Sequence, residues 1–284
     1  MVIESSGPRR PPPSFVLCAA RTGSTLLRYV LDTHPMLCAP PELQIGALCQ
    51  QLNLLHSYTV DEEQELAPDW AAASARRRTR RVVDEIMHDY CKRHGKMLWC
   101  EKSIGNLRRL HVLDEVYSDA RLVFLHRHCL DMVGSGLELE LNMPGRPAFE
   151  PFIARYLGDP FAALVDYWCE TTERLLAHEK ANARRSTRLR YEDLVRQPRR
   201  VLPRVFDLLD VDWDPAILDR VFVTHHARGP GDDKIARTSR IETSSIGRGF
   251  ALPWQTLAPD SLARVQSLLG QLGYPRLGAE GGGA

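Results

Sequence analysis

Ser14-Phe-Val-Leu-Cys-Ala-Ala-Arg-Thr-Gly-Ser-Thr-Leu-Leu-Arg28 is an apolar run, a small polar turn and a second apolar pattern that restarts at helical spacing. Phe15 to Cys18 suit a buried strand, Gly23 lets the backbone turn without a Cβ, and Leu26, Leu27, Val30 and Leu31 give the next helix an apolar stripe. The backbone N–H groups of Gly23, Ser24, Thr25 and Leu26 then face outward at a helix N-terminus, an arrangement that binds an anion, most often a phosphate. An ordinary strand-turn-helix with a solvated Arg21 is the alternative for this stretch taken alone.

The turn departs from a nucleoside triphosphatase loop in two respects. Gly23-Ser24-Thr25 can be laid on the Gly-Lys-Ser/Thr end of that motif, but Ser24 stands in the place of the lysine and no glycine opens the loop. The cation, Arg21, precedes the glycine. A cation ahead of Gly-Ser-Thr fits a 5′-phosphosulfate better than a β/γ-phosphate pair with magnesium.

Outward from this stretch, strand and helix alternate. Met97 to Cys100 reads as a second buried strand that delivers Glu101, Lys102 and Ser103 to its C-terminal edge, and Leu122 to His126 as a third. Thr187 to Arg190 reads as a fourth. Leu43 to Leu55, Asp69 to His94, Asn106 to Val116, Phe161 to Ala181 and Leu262 to Leu272 read as helical. The alternation predicts an α/β fold, a P-loop-like three-layer sandwich whose parallel central sheet carries helices on both faces. Ligands of such sheets bind beyond the carboxyl ends of the strands. Arg21, Lys102 and Arg127 each follow an apolar strand, so topology brings all three to one edge.

The 284 residues and 44% hydrophobic content suit one large domain, expected over residues 14–275, with a proline-rich flexible leader at 1–13 and a Gly-rich flexible tail at 276–284. The 37 basic and 36 acidic residues nearly cancel, which argues against a nucleic-acid or membrane partner and makes any anion site local. Arg76 to Arg81 read as the charged face of a solvated helix. No apolar run approaches a membrane span and the first residues are polar, so a cytoplasmic protein is expected. Seven cysteines without a C-x-x-C pair read as reduced core residues. Asn142 to Pro160, with its prolines and Gly145, reads as a lid or acceptor-binding segment. Tyr58 to Pro68 and His225 to Phe250 read as loops.

A second anion signal is Arg127 at a strand end with Ser135 eight residues on, two helical turns along the next helix, a pair able to clamp one phosphate. Together with the first stretch and Tyr191-Glu192-Asp193-Leu194, these motifs resemble the sulfotransferases that use 3′-phosphoadenosine 5′-phosphosulfate (PAPS). The resemblance runs over residues 14 to 248 and is closest to the tyrosylprotein sulfotransferase group and to bacterial sulfotransferases, including those embedded in polyketide synthases. It is carried by Arg21-Thr-Gly-Ser-Thr-Leu-Leu-Arg28, Leu31-Asp-Thr-His-Pro35, Pro41-Glu42-Leu43, Cys100-Glu-Lys102, Tyr191-Glu-Asp-Leu-Val195 and Lys234-Ile-Ala-Arg-Thr238.

The resemblance implies Glu42 as general base, with Arg21, Lys102 and Thr238 stabilising the transferring sulfuryl group. It implies donor binding by Arg21, Thr22, Gly23, Ser24, Thr25 and Leu26 on the 5′ side, and by Arg127, Ser135, Tyr191, Ser244, Arg248 and Gly249 around the rest of the nucleotide. PAPS would be the co-substrate and 3′-phosphoadenosine 5′-phosphate (PAP) the product, and no metal is required. Ile104 stands where cytosolic steroid and phenol sulfotransferases carry a histidine, so that mechanism is not available; should Glu42 fail, Glu101 or a histidine of the acceptor loop is the reserve base. The expected acceptor is a hydroxyl of a small molecule, a natural-product intermediate or a glycan, free or carrier-tethered. An ATP-dependent phosphotransferase and a nucleotide-binding module without turnover are the rival readings.

Overall fold

A computed structural model describes residues 11–59, 68–229, 235 and 238–278. Five parallel strands form one sheet: β1 (Ser14–Cys18), β2 (Leu37–Cys38), β3 (Leu98–Glu101), β4 (Arg121–His126) and β5 (Ser186–Arg190), in the order β2-β3-β1-β4-β5. The order reverses about β1, whose connection leads toward β2 while that of β4 leads toward β5. Such a reversal opens a crevice at the carboxyl ends of the central strands.

Between the strands run α1 (Ser24–Thr33), α2 (Ile45–Tyr58), α3 (Pro68–Arg93), α4 (Leu110–Val116), α5 (Cys129–Asn142), α6 (Glu150–Arg155) and α7 (Pro160–Ala181). After β5 come α8 (Tyr191–Arg196), α9 (Pro198–Val201), α10 (Pro203–Leu208), α11 (Ile217–Arg220) and α12 (Pro259–Gln271). The two-residue period of the strands separates the core into layers. Val16, Cys18, Val123 and Leu125 meet α1, α8, α10 and α11 on one face. Phe15, Leu17, Leu122 and Phe124 meet α2, α3 and α4 on the other. A third cluster joins α5, α7 and α12 through Leu130, Val133, Trp168 and Leu269. The three-layer sandwich is therefore present, with helices on both faces.

Several boundaries differ from the expected ones. β2 is an additional edge strand, two residues between Pro35 and Pro40, too short to show a period. Met97 is 61% exposed and precedes β3. Leu43 is exposed, and α2 starts only after Gln44, which is in a left-handed conformation at φ 57°. Tyr58 and Pro68 are helical, and the loop expected between them falls, over residues 60–67, outside the described residues. Asn142 to Pro160, expected as a lid or acceptor-binding segment, contains the short helix α6. The expected leader lies outside the described residues up to residue 10, and Pro13 accepts a hydrogen bond from the Arg121 N–H at 2.9 Å. At the other end the packed chain runs beyond residue 275, since Leu277 is buried and its N–H donates to Gln266 at 3.0 Å.

The Arg76–Arg81 face is solvated as its periodicity suggests: Arg77, Arg78 and Arg81 are exposed, and Arg80 bridges to Asp119 at 2.8 Å. All seven cysteines are buried and free. No helix among the described residues is long and apolar enough to cross a membrane.

Candidate active site

The carboxyl ends of β1, β3 and β4 open into a cavity of about 1100 Å3. Its floor is the β1–α1 turn. Arg21 takes φ 63° and Gly23 φ 81°, so two of three consecutive residues are left-handed, a conformation that costs a non-glycine residue about 1–3 kcal/mol. Gly23 is obligatory for a second reason: a Cβ there would fall 2.2 Å from the Tyr191 ring. The turn is braced by Thr22, whose hydroxyl donates to the Ala19 carbonyl at 2.9 Å, and by Tyr167, whose hydroxyl accepts from the Ala20 N–H at 2.8 Å. The first N–H groups of α1 lack intrahelical acceptors by helix geometry and open onto the cavity through Ser24 and Thr25.

Three elements position the cations. Arg127, at the end of β4, is buried and stacks 4.5 Å above the Tyr191 ring. Its two amino groups donate to the carbonyls of Arg21 (2.8 Å) and Ser245 (2.9 Å), while its buried Nε has no partner among the described residues. Trp168 fixes the Arg127 backbone by donating Nε1–H to its carbonyl at 3.0 Å. Arg21 donates its Nε–H to the Ser135 hydroxyl at 3.1 Å, so Ser135 meets Arg21 rather than Arg127. Burial lowers the Arg21 pKa and the neighbouring Arg127 charge lowers it further, while Glu138 opposes the shift.

At the end of β3, Lys102 is buried and donates to Glu42 Oε1 at 2.5 Å, and the Ile104 N–H lies 3.4 Å from the other Glu42 oxygen. The next residue back, Glu101, is fully buried and accepts from the Leu43 N–H (3.0 Å), Asn106 Nδ2 (2.6 Å) and the Ser103 hydroxyl. Ser103 and Asn106 in turn accept from the N–H groups of Gln44 (2.9 Å) and Gly46 (3.0 Å). One carboxylate thus pins the segment carrying Glu42 to the strand end carrying Lys102. Burial pushes the Glu101 carboxyl above its ordinary pKa. Its oxygens are committed to these donors, so Glu101, expected as a reserve base, is seen here bracing the segment that carries Glu42.

The remaining wall comes from the stretch before α12. Ser244 and Arg248 are exposed and line the cavity, as do Thr238 and Ile235. Gly249 does not line it: the residue is buried against α5, its N–H donating to Asp131 at 2.9 Å beside that of Gly247 at 2.8 Å. Thr22 likewise faces inward and is absent from the wall. Lys234, Ala236 and Arg237 lie outside the described residues. The structure thus gathers Arg21, Gly23, Ser24, Thr25, Leu26, Glu42, Lys102, Arg127, Ser135, Tyr191, Thr238, Ser244 and Arg248 around one cavity.

Residues that the sequence reading did not assign also meet there. Ser245 links the wall by bonding the Tyr191 hydroxyl at 2.8 Å, and adjacency to Ser244 is its sole sequence signal. Tyr167, on α7, braces the β1–α1 turn. Arg108 and Arg174 carried no signal, since each lies in a stretch without a motif, and Arg146 falls within the segment expected as a lid or acceptor-binding segment.

The description "Sulfotransferase family" belongs to the family whose profile matches residues 12–215. Among curated relatives, the protein-tyrosine sulfotransferase of Drosophila melanogaster is 22% identical over 279 residues, covering 94% of this chain and 52% of its own length. The chain therefore spans about half of that relative. Among solved structures, the sulfotransferase domain of the Synechococcus PCC 7002 olefin synthase superposes with a TM-score of 0.64 at 23% identity, covering 95% of this chain and 98% of that one. Mouse sulfotransferase SULT7A1, solved in complex with PAP, superposes with a TM-score of 0.51 at 10% identity over 93% of this chain and 84% of that one. These folds share the parallel α/β sheet found here, and with the profile covering most of its length the chain belongs to the sulfotransferase family.

Proposed function

We propose that the chain transfers a sulfuryl group from PAPS to a hydroxyl of a small-molecule acceptor, a natural-product intermediate or glycan, free or carrier-tethered. The observation that carries the reading is the convergence of the β1–α1 turn, Arg127 and the Glu42–Lys102 pair on one cavity. The residues present suit such a donor. A helix N-terminus with Arg21 beside it suits a 5′-phosphosulfate, and the unpartnered buried Nε of Arg127 suits a further phosphate nearby. A related fold was solved with PAP bound.

When bound, the donor supplies an electrophilic sulfur and a phosphate leaving group. Arg21 and the first amides of α1 would hold the 5′ side, and Arg127 and Arg248 the 3′-phosphate. Glu42 would accept the hydroxyl proton as the acceptor oxygen bonds to sulfur. Lys102, released from Glu42, would offset the charge that grows on the oxygen leaving sulfur, and Thr238 would add a hydroxyl on the same side. Seven free buried cysteines fit a reducing compartment, the cytoplasm in this reading. The test is incubation with sulfur-labelled PAPS and a panel of hydroxylated acceptors, followed by mass spectrometry. Enzyme-dependent appearance of PAP together with one sulfated acceptor is the expected result, and PAP binding without transfer to any acceptor would favour a module without turnover.

A further inference from the structure

The cavity carries far more positive charge than the chain as a whole. Its lining carboxylates are Glu42, Glu170 and Glu242, and each is already engaged: by Lys102 at 2.5 Å, by Arg155 at 3.9 Å and by Arg240 at 3.4 Å. Four further arginines of the wall, Arg108, Arg109, Arg146 and Arg174, are left without a carboxylate among the described residues. All four meet neutral acceptors: Arg108 the Pro147 carbonyl (2.8 Å), Arg174 the Leu107 carbonyl (2.9 Å), Arg109 the Gln50 amide oxygen (2.8 Å) and Arg146 the Met143 sulfur (2.7 Å). The first two bonds hold guanidinium groups in fixed positions across the segments that they join. Arg146 goes further, because its Nε is buried without a partner among the described residues. A buried guanidinium nitrogen facing no acceptor is costly unless an anion meets it.

The four stand on the 3-10 turn Ile104–Arg109, on the segment before α6 and on α7, elements other than the β1–α1 turn, the end of β4 and the stretch before α12 that carry the expected nucleotide residues. Of the four, Arg146 is the one whose charge reaches Arg21, where it helps to lower the pKa. In a chain with 37 basic and 36 acidic residues, four unmatched arginines on one wall reflect arrangement and not composition.

We infer that this wall is an anion subsite for the acceptor, which is a hydroxyl compound that also bears a phosphate or carboxylate. The inference rests on the sulfuryl-transfer reading above and narrows its acceptor class. A planar guanidinium pairs two-fold with either anion, and several around one cavity set the orientation that turns the hydroxyl toward Glu42.

Calorimetric titration of the PAP-saturated protein tests it, because saturation fills the nucleotide's own anion sites. Three probes are used: glycerol 3-phosphate, 3-hydroxybutyrate and the neutral 1,3-butanediol. The phosphate or the carboxylate probe, or both, should bind with an affinity that falls as salt rises, and the diol should bind at least about 10-fold more weakly. Arg146→Gln and, independently, Arg174→Gln should each weaken the anionic probe by about 10-fold or more while PAP affinity changes far less. The two anionic arms identify which headgroup is preferred. Absence of anion binding, equal binding of the diol, or undiminished binding in both variants would overturn the subsite. Failure of PAP itself to bind would count against the donor reading instead, and the same probes on ligand-free wild type and Arg146→Gln would then decide the subsite.

Discussion

Lys102 has one ammonium and, in the proposed reaction, two claimants: the Glu42 carboxylate that it holds at 2.5 Å and the group in transfer. Glu42→Gln keeps the size of the side chain and its place before α2 but cannot accept a proton. Turnover should fall roughly 10²–10⁴-fold while PAP affinity survives, measured by sulfate transfer and calorimetry on one preparation. Near-normal turnover in a folded variant would remove Glu42 from the chemistry. Glu101 should behave in the opposite way. Glu101→Leu orphans the Leu43 N–H, the Ser103 hydroxyl and the Asn106 amide in a fully buried place, at about 1–3 kcal/mol per lost partner. Its urea midpoint should drop far more than that of Glu42→Gln, and equal midpoints would deny Glu101 its bracing role. The sequence marks Glu42 and Lys102 by their neighbours in the chain, Pro41 and Cys100. It cannot mark the work of Glu101, which is defined by partners at residues 43, 103 and 106 brought together only when the segment before α2 meets the end of β3 and the 3-10 turn that follows it.

The β1–α1 turn was legible because its information is local: a buried strand, a left-handed glycine and an apolar stripe lie within 15 consecutive residues. The stretch before α12 was not, because it has no period and its anchors are distant. Asp131 on α5 takes the N–H groups of both Gly247 and Gly249, more than 100 residues away in the chain. Gly249 is therefore a packing glycine. A Cβ on it would lie 2.0 Å from the Leu130 carbonyl oxygen and 2.6 Å from the Asp131 nitrogen, backbone atoms that cannot yield. Gly249→Ala should push this wall off α5, costing about 1–3 kcal/mol of stability and weakening PAP through displaced Arg248 and Ser245. Denaturant unfolding and calorimetry check it, and unchanged values in both would show that the loop is not anchored through Gly249. β2 escaped the reading for a simpler reason, since two residues between prolines carry no alternation. Arg146 escaped it because a single arginine in a proline-rich segment looks the same whether it faces solvent or a cavity.

Across the whole molecule, burial has left two histidines neutral where β4 leaves the sheet. It lowers the pKa of His126 to about 3, with the Arg188 charge adding to the effect, and that of His128 to about 4. Glu179, 3.9 Å from His126, is held by Arg188 at 2.8 Å, and both ring nitrogens of His128 lack partners among the described residues while its ring stacks on Phe250. Below the ordinary histidine pKa of about 6.5 the unfolded chain binds protons that the native protein does not, so these groups withdraw stability as pH falls from about 6.5 toward 4. Each can contribute a slope of up to about 1.4 kcal/mol per pH unit. His128→Asn should lower the dependence of stability on pH between 6.5 and 5, measured by urea unfolding at several pH values, and an unchanged slope would contradict the assignment. The parallel sheet with helices on both faces followed from alternating periods, and with it the edge at which Arg21, Lys102 and Arg127 meet, whereas the strand order did not, because it includes β2. The central claim, that this edge holds PAPS, is tested most directly by calorimetric titration with PAP and with magnesium ATP, repeated on Arg127→Ala. The account predicts that PAP binds at least about 100-fold more tightly than ATP and that Arg127→Ala removes about 2–3 kcal/mol of that preference. Equal affinity for the two nucleotides, or a preference untouched by Arg127→Ala, would contradict it.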